Sequence, residues 1–206
     1  MNKDKELLFN YLPEAAVQPM VEWLHKNKVQ LKISRARSTK LGDFRVARNG
    51  DSPRISVNYN LNPYSFLITL VHEMAHAEVF KSKPRFKRIQ PHGREWQLAF
   101  SRLMEPFLND SVFPKALLPV LTHYFQKPKA SSFSDSKLMQ ALKAYNSEAS
   151  KKPQLNDLIP GDRFLLRQIP FRVEKKMRTR FQCKNLDNKR LYIIHGLAEV
   201  EKIQEQ

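Results

Sequence analysis

Residues 62 to 80 limit what this chain can fold into more than any other stretch. Asn62 can cap a helix, Pro63 suits the first helical position, and apolar residues continue past Phe66 with no glycine. The sequence therefore predicts a helix running through Leu70-Val71-His72-Glu73-Met74-Ala75-His76 to Phe80. Leu67, Leu70, Val71, Met74 and Ala75 fall on one stripe, with His72 and His76 on its flank. Side chains four apart on a helix stand one turn apart on one face. Both imidazoles can then reach a single metal ion while Glu73 points at the same spot. The expectation is a buried helix that offers two ligands to a cleft.

A catalytic zinc takes three protein ligands and leaves a fourth position for water, so a third donor must come from outside this helix. Glu78 lies two residues past His76 and points off the metal face. Glu95 follows His76 by nineteen residues on a second expected helix, the layout of metalloproteases whose third ligand is a glutamate. His92 follows by sixteen, just before Gly93 at the mouth of that helix. His123 and His195 are distant single histidines, which are more often surface or core residues than ligands. Spacing alone leaves Glu95 and His92 both open.

His72-Glu73-x-x-His76, a Lys/Arg-bearing loop and then His92-Gly93-Arg94-Glu95-Trp96 together resemble the SprT-like (Spartan-related) zinc metalloprotease family over residues 10 to 108. The resemblance implies a zincin-like domain in which His92 completes a His72, His76, His92 set around one catalytic Zn2+ and Glu73 is the catalytic base. It also implies cleavage of proteins bound or crosslinked to DNA, with DNA as activator. Many bacterial members end in a four-cysteine zinc ribbon, whereas this chain has one cysteine, Cys183.

Charge bears on the partner. The net charge is +16 over 206 residues, an excess that attracts polyanions. It is clustered: Lys81, Lys83, Arg85, Lys87 and Arg88 fall between His76 and His92 with no acidic residue in Lys81–Arg88, and Arg94 follows just past His92. Arg163 to Arg190 holds ten basic residues against two acidic ones, among them Lys175, Lys176, Arg178 and Arg180. These two tracts are the candidate nucleic-acid contacts, and their bland alternative is a solvated face. One cysteine excludes an internal disulfide. No charged leader or long apolar run is visible, so the expectation is a cytoplasmic protein without a membrane partner.

In chain order, residues 3 to 27 read as one or two amphipathic helices broken near Pro13. Val29-Gln30-Leu31-Lys32-Ile33, Gly42 to Ala47 and Arg54 to Asn58 read as strands, with Asn49-Gly50-Asp51 as a hairpin turn. Arg35 to Lys40 reads as a solvated basic turn. After the metal helix, Trp96, Leu98, Ala99, Leu103 and Phe107 are in register to pack a second helix. The fold expected is α+β: a domain over 1–126 with a small, mainly antiparallel sheet beside the helices, a helical link over 127–154, and a small basic all-β domain over 155–206. That last domain reads as a barrel or curled sheet whose Phe164, Phe171, Phe181 and Tyr192 either contact nucleic acid or form its core. The function expected is a zinc-dependent endopeptidase. The competing reading is a nucleic-acid-binding protein whose zinc is structural or vestigial.

Overall fold

The computed structural model describes residues 3–37, 40–46, 52–82, 90–126, 128, 135–146 and 153–203. It divides into two compact units, Met1–Asn146 and Ser147–Gln206, each with its own core. The architecture is α+β, with helices and two sheets.

In the first unit, α1 (Lys3–Phe9) and α2 (Glu14–Asn27) break at Pro13, and strands β1 (Gln30–Ser34), β2 (Gly42–Arg45) and β3 (Arg54–Asn58) follow. The sheet is mixed where the sequence suggested mainly antiparallel pairing. Its order is β1-β3-β2, with β1 parallel and β2 antiparallel to β3. The reason lies in β3, where Ile55, Ser56, Val57 and Asn58 are all buried, so this strand is covered on both faces and takes the centre. Arg37, expected in a solvated turn, lies across the outer face, donating from Nε to Asn58 Oδ1 at 2.8 Å and from Nη1 to Ser56 Oγ at 3.2 Å. The turn Asn49-Gly50-Asp51 lies outside the described residues.

The inner face of the sheet receives α3 (Pro63–Ser82). Asn62 caps it: its side-chain oxygen accepts from Ser65 N at 2.9 Å. Phe66, Leu67, Ile68, Leu70, Val71 and Ala75 are fully shielded, so this helix is buried nearly all round. Next come α4 (Arg94–Met104), a 3-10 turn at Glu105–Phe107, α5 (Leu118–Gln126) and α6 (Ser136–Lys143), which Asp135 caps. Trp96 is wholly buried, but Leu98 is 62 % exposed, because two residues along a helix turn it to the opposite face. Helix α6 falls within the helical link expected over 127–154. Leu138 and Leu142 on α6 join the core of the first unit, and Asn62 donates to Leu142 O at 2.9 Å, so this unit extends to Asn146.

The second unit is one five-stranded antiparallel sheet in the order β7-β6-β5-β4-β8, an open order where a barrel was the alternative. Its strands are β4 (Arg163–Leu166), β5 (Ile169–Lys176), β6 (Arg180–Asn185), β7 (Leu191–His195) and β8 (Glu201–Lys202). Phe164, Phe171 and Phe181 form its core with Val173 and Cys183, while Tyr192 is 39 % exposed and meets Phe171 edge-on. Among the described residues, no helix is long and apolar enough to cross a membrane.

Candidate metal centre

His72 and His76 stand one turn apart on α3, and His92 meets them from the segment entering α4. The three Nε2 atoms lie 3.2 Å (72–76), 3.0 Å (76–92) and 3.2 Å (72–92) apart. Nitrogens bound tetrahedrally to zinc at about 2.0–2.1 Å would be separated by about 3.3 Å, close to this spacing. His92 is held in place at φ +59°, a left-handed conformation uncommon outside glycine and enriched at functional sites. Trp96 forms the floor: its ring lies 4.6 Å from the His72 ring and 4.7 Å from the His92 ring, and its Nε1 donates to His72 O at 3.3 Å. This tryptophan is both a core anchor and the support that orients two imidazoles.

Electrostatics fit the same purpose. Burial, and then the neighbouring imidazoles, push His72 down to about 3 and His76 to about 4, and burial lowers His92. At neutral pH all three rings are neutral, the form that binds a metal. Three such lone pairs converging on one point repel each other unless a cation lies among them, so the donor set suits an ion. Among the described residues this is the only grouping of three or more His, Cys, Asp or Glu with ligand geometry. Glu95, the other candidate for third donor, is exposed and is not part of it. Glu78 turns away to accept from Trp23 Nε1 and pair with Arg102. His123 on α5 and His195 on β7 are exposed and take no part.

Glu73 is 7 % exposed and sits beside the edge strand β2. Its carboxylate accepts from the amide of Phe44, and it fills the space above Gly42, where a Cβ would come within 2.5 Å of its Oε1. Burial first, and the charge of Asp43 second, raise Glu73 to about 7, against the opposing pull of the Phe44 amide, Arg37 and Lys40. Asp43 is itself held by Lys40 and Arg45, both at 2.7 Å. Sequence reading did not single out Gly42, Asp43 or Phe44. A glycine opening a strand was the signal available, since such a residue often marks a close approach.

The basic residues divide differently. Lys83, Arg85, Lys87 and Arg88 lie outside the described residues. Lys81 is exposed at the end of α3, its Nζ 3.5 Å from Asn27 Oδ1, and Arg94 is exposed at the start of α4. In the second unit Lys175, Lys176, Arg178 and Arg180 are all exposed around one hairpin closed by Met177 N donating to Arg180 O at 2.7 Å.

An α+β unit with three converging imidazoles and a buried carboxylate beside them defines a protein with the donor set for one metal ion. The SprT-like family model matches residues 9–116, more than half of the chain. The chain belongs to the SprT-like family, which is compatible with a metallopeptidase. No curated protein and no solved structure matches it.

Proposed function

We propose that the protein is a zincin-like, zinc-dependent endopeptidase, with His72, His76 and His92 holding the ion and Glu73 as the catalytic base. The observation that carries this reading is an open donor set: three imidazoles converge, and among the described residues no fourth His, Cys, Asp or Glu joins them. A structural zinc normally closes with four protein ligands, whereas a catalytic one keeps a position free. Glu73 is not among the three donors, which supports reading it as a proton acceptor rather than a ligand. An ion bound there supplies Lewis acidity, which acidifies water and polarises a peptide carbonyl. Glu73 then takes the proton of the attacking water on its carboxylate and returns one to the departing amine. Its neighbours keep that carboxylate in place, with the Phe44 amide as donor and Gly42 leaving room.

The proposed substrate is a protein bound or crosslinked to DNA, with DNA as activator. The net charge of +16 and the exposed Lys175, Lys176, Arg178 and Arg180 support a polyanion partner, together with Lys81 and Arg94 on the first unit. The test is the Glu73→Gln chain against the parent on a DNA-bound protein, with and without DNA. The expected result is retained zinc and a rate lower by about a hundredfold or more, since positioned acid–base groups contribute roughly 10²–10⁴. Cleavage at the parent rate would remove Glu73 from its role, and activity that ignores DNA would remove the activator.

A further inference from the structure

At the end of β2 away from Glu73 lies an apolar cavity of about 180 Å³ lined by Val29, Phe44, Val46, Pro53, Ala77 and Phe80. Its two polar members, Asn27 and Lys81, face each other at 3.5 Å. A dry apolar cavity of about 150 Å³ can hold a benzene-sized group, so the volume suits a leucine or phenylalanine side chain. Phe80 is 49 % and Val46 43 % exposed, which leaves the cavity open to solvent at an apolar rim.

Two features join this cavity to the metal cleft. Phe80 lies seven residues past Glu73 and four past His76 on α3, which at 3.6 residues per turn returns it to the face that carries the site, about 10 Å along the axis. Phe44 links the two by its two ends: its amide donates to Glu73, while its ring, 6.1 Å from that of Phe80, walls the cavity.

Among the described residues, the strand that runs between them, β2, pairs with β3 alone, where Leu41 O accepts from Asn58 N, and no strand lies along its other side. In an antiparallel pair, residues that bond to the partner alternate with residues whose backbone faces away. The register Gly42↔Val57 and Phe44↔Ile55 therefore turns the backbone groups of Gly42 and Phe44 away from β3; the Phe44 amide meets Glu73, which leaves the groups of Gly42 and the Phe44 carbonyl facing outward for a partner strand. An extended polypeptide can add to such an edge.

We infer that this cavity is a substrate pocket, which takes a bulky apolar side chain from a polypeptide laid antiparallel along β2. The inference rests on the peptidase reading of the metal centre. β2 runs from Gly42 beside Glu73 to the cavity at its far end, so an antiparallel strand passes the cavity first. At about 3.3 Å per residue, the apolar side chain precedes the cleaved bond by two to three residues. Side chains on one face of a strand recur every second residue, so the pocket reads a single position and leaves its neighbours unread.

The test uses the zinc-loaded Glu73→Gln chain and two fluorescein-labelled, uncharged octapeptides that differ only in phenylalanine or serine at one position, with binding followed by fluorescence anisotropy. The phenylalanine peptide is expected to bind about tenfold tighter. Val46→Glu and Phe80→Glu, each made separately at a half-exposed rim position, are expected to cut that ratio to about twofold or less with zinc content unchanged. Equal affinities for the two peptides, or a preference that survives both substitutions, would overturn the pocket. Binding is read on a chain that does not turn over, so this result is independent of whether the parent chain cleaves protein.

Discussion

At the scale of residues, the site is a set of crowded neighbours whose side chains leave each other little choice. Gly42 is the clearest case. Gly42→Ala places a methyl 2.5 Å from Glu73 Oε1 and 2.9 Å from Thr69 Cγ2, so the carboxylate or β2 must move. The expected outcome is a loss of the proposed peptidase activity of about tenfold or more at unchanged zinc content, since displacing a reacting group by about 1 Å can lower a rate about a hundredfold. A Gly42→Ala chain with the parent's rate would contradict this placement. The imidazoles make a second prediction, for the metal-free chain. Unfolded, His72 and His76 titrate near 6.5; folded, burial holds them at about 3 and 4. Between those values the unfolded chain binds the extra protons, so stability falls as pH falls from about 6.5 toward 4. Glu73 opposes this. Raised to about 7, it takes a proton in the folded state first and favours folding as pH drops to its ordinary 4.5. Two imidazoles against one carboxylate set the net sign. Thermal unfolding of chelator-treated protein should give a lower midpoint at about pH 5 than at about pH 7, and a higher one at pH 5 would contradict the burial of these rings. His72, Glu73 and His76 were legible because helical spacing is a local property. Choosing His92 over Glu95 needed either the family resemblance or three dimensions, since their distances in sequence fit equally well.

At the scale of elements, the helix that carries the site is fixed at its start by one side chain. Asn62 accepts from Ser65 N and donates to Leu142 O and to Asn146 Oδ1 at 2.6 Å, which ties α3 to the far end of its own unit. Asn62→Ala removes the cap and leaves buried partners unmet, at a cost of about 1–3 kcal/mol. The expected observation is a lower midpoint in urea, and an unaltered midpoint would show that the cap is dispensable. The cap itself was readable from Asn62-Pro63, and the strand positions from their alternation and from turn residues. Pairing partners were not. That β1 runs parallel to β3 with β2 outside depends on burial of both faces of Arg54–Asn58, which becomes visible only once α3 and Arg37 are seen to cover them. Arg37 reads in sequence as one charge in a basic turn, and only the sheet reveals the polar groups it meets.

At the scale of the whole molecule, both units are basic, and the first holds the three imidazoles while the second carries a basic hairpin. The single cysteine lies buried in the second, its thiol pushed up to about 11 by burial and then by Glu174, and serves as core. Where the sequence left the aromatic residues of that unit equally suited to core or nucleic acid, burial assigns Phe164, Phe171 and Phe181 to the core. Any polyanion binding there then falls to the charged hairpin. Replacing Lys175, Lys176, Arg178 and Arg180 by Gln should weaken binding to a single-stranded oligonucleotide about tenfold or more and flatten its dependence on salt, by about 0.7 in log–log slope for each phosphate no longer neutralised. Parent-like affinity and slope would take the hairpin out of the interface. The proposed chemistry depends on one ion held by three imidazoles with a position left open beside Glu73. X-ray absorption at the zinc edge of the zinc-loaded chain tests that most directly. The expected spectrum is that of one zinc per chain with three imidazole nitrogens and one light-atom ligand from solvent, and His92→Ala should abolish that signature. A shell of four protein donors, or a spectrum that His92→Ala leaves unchanged, would contradict it.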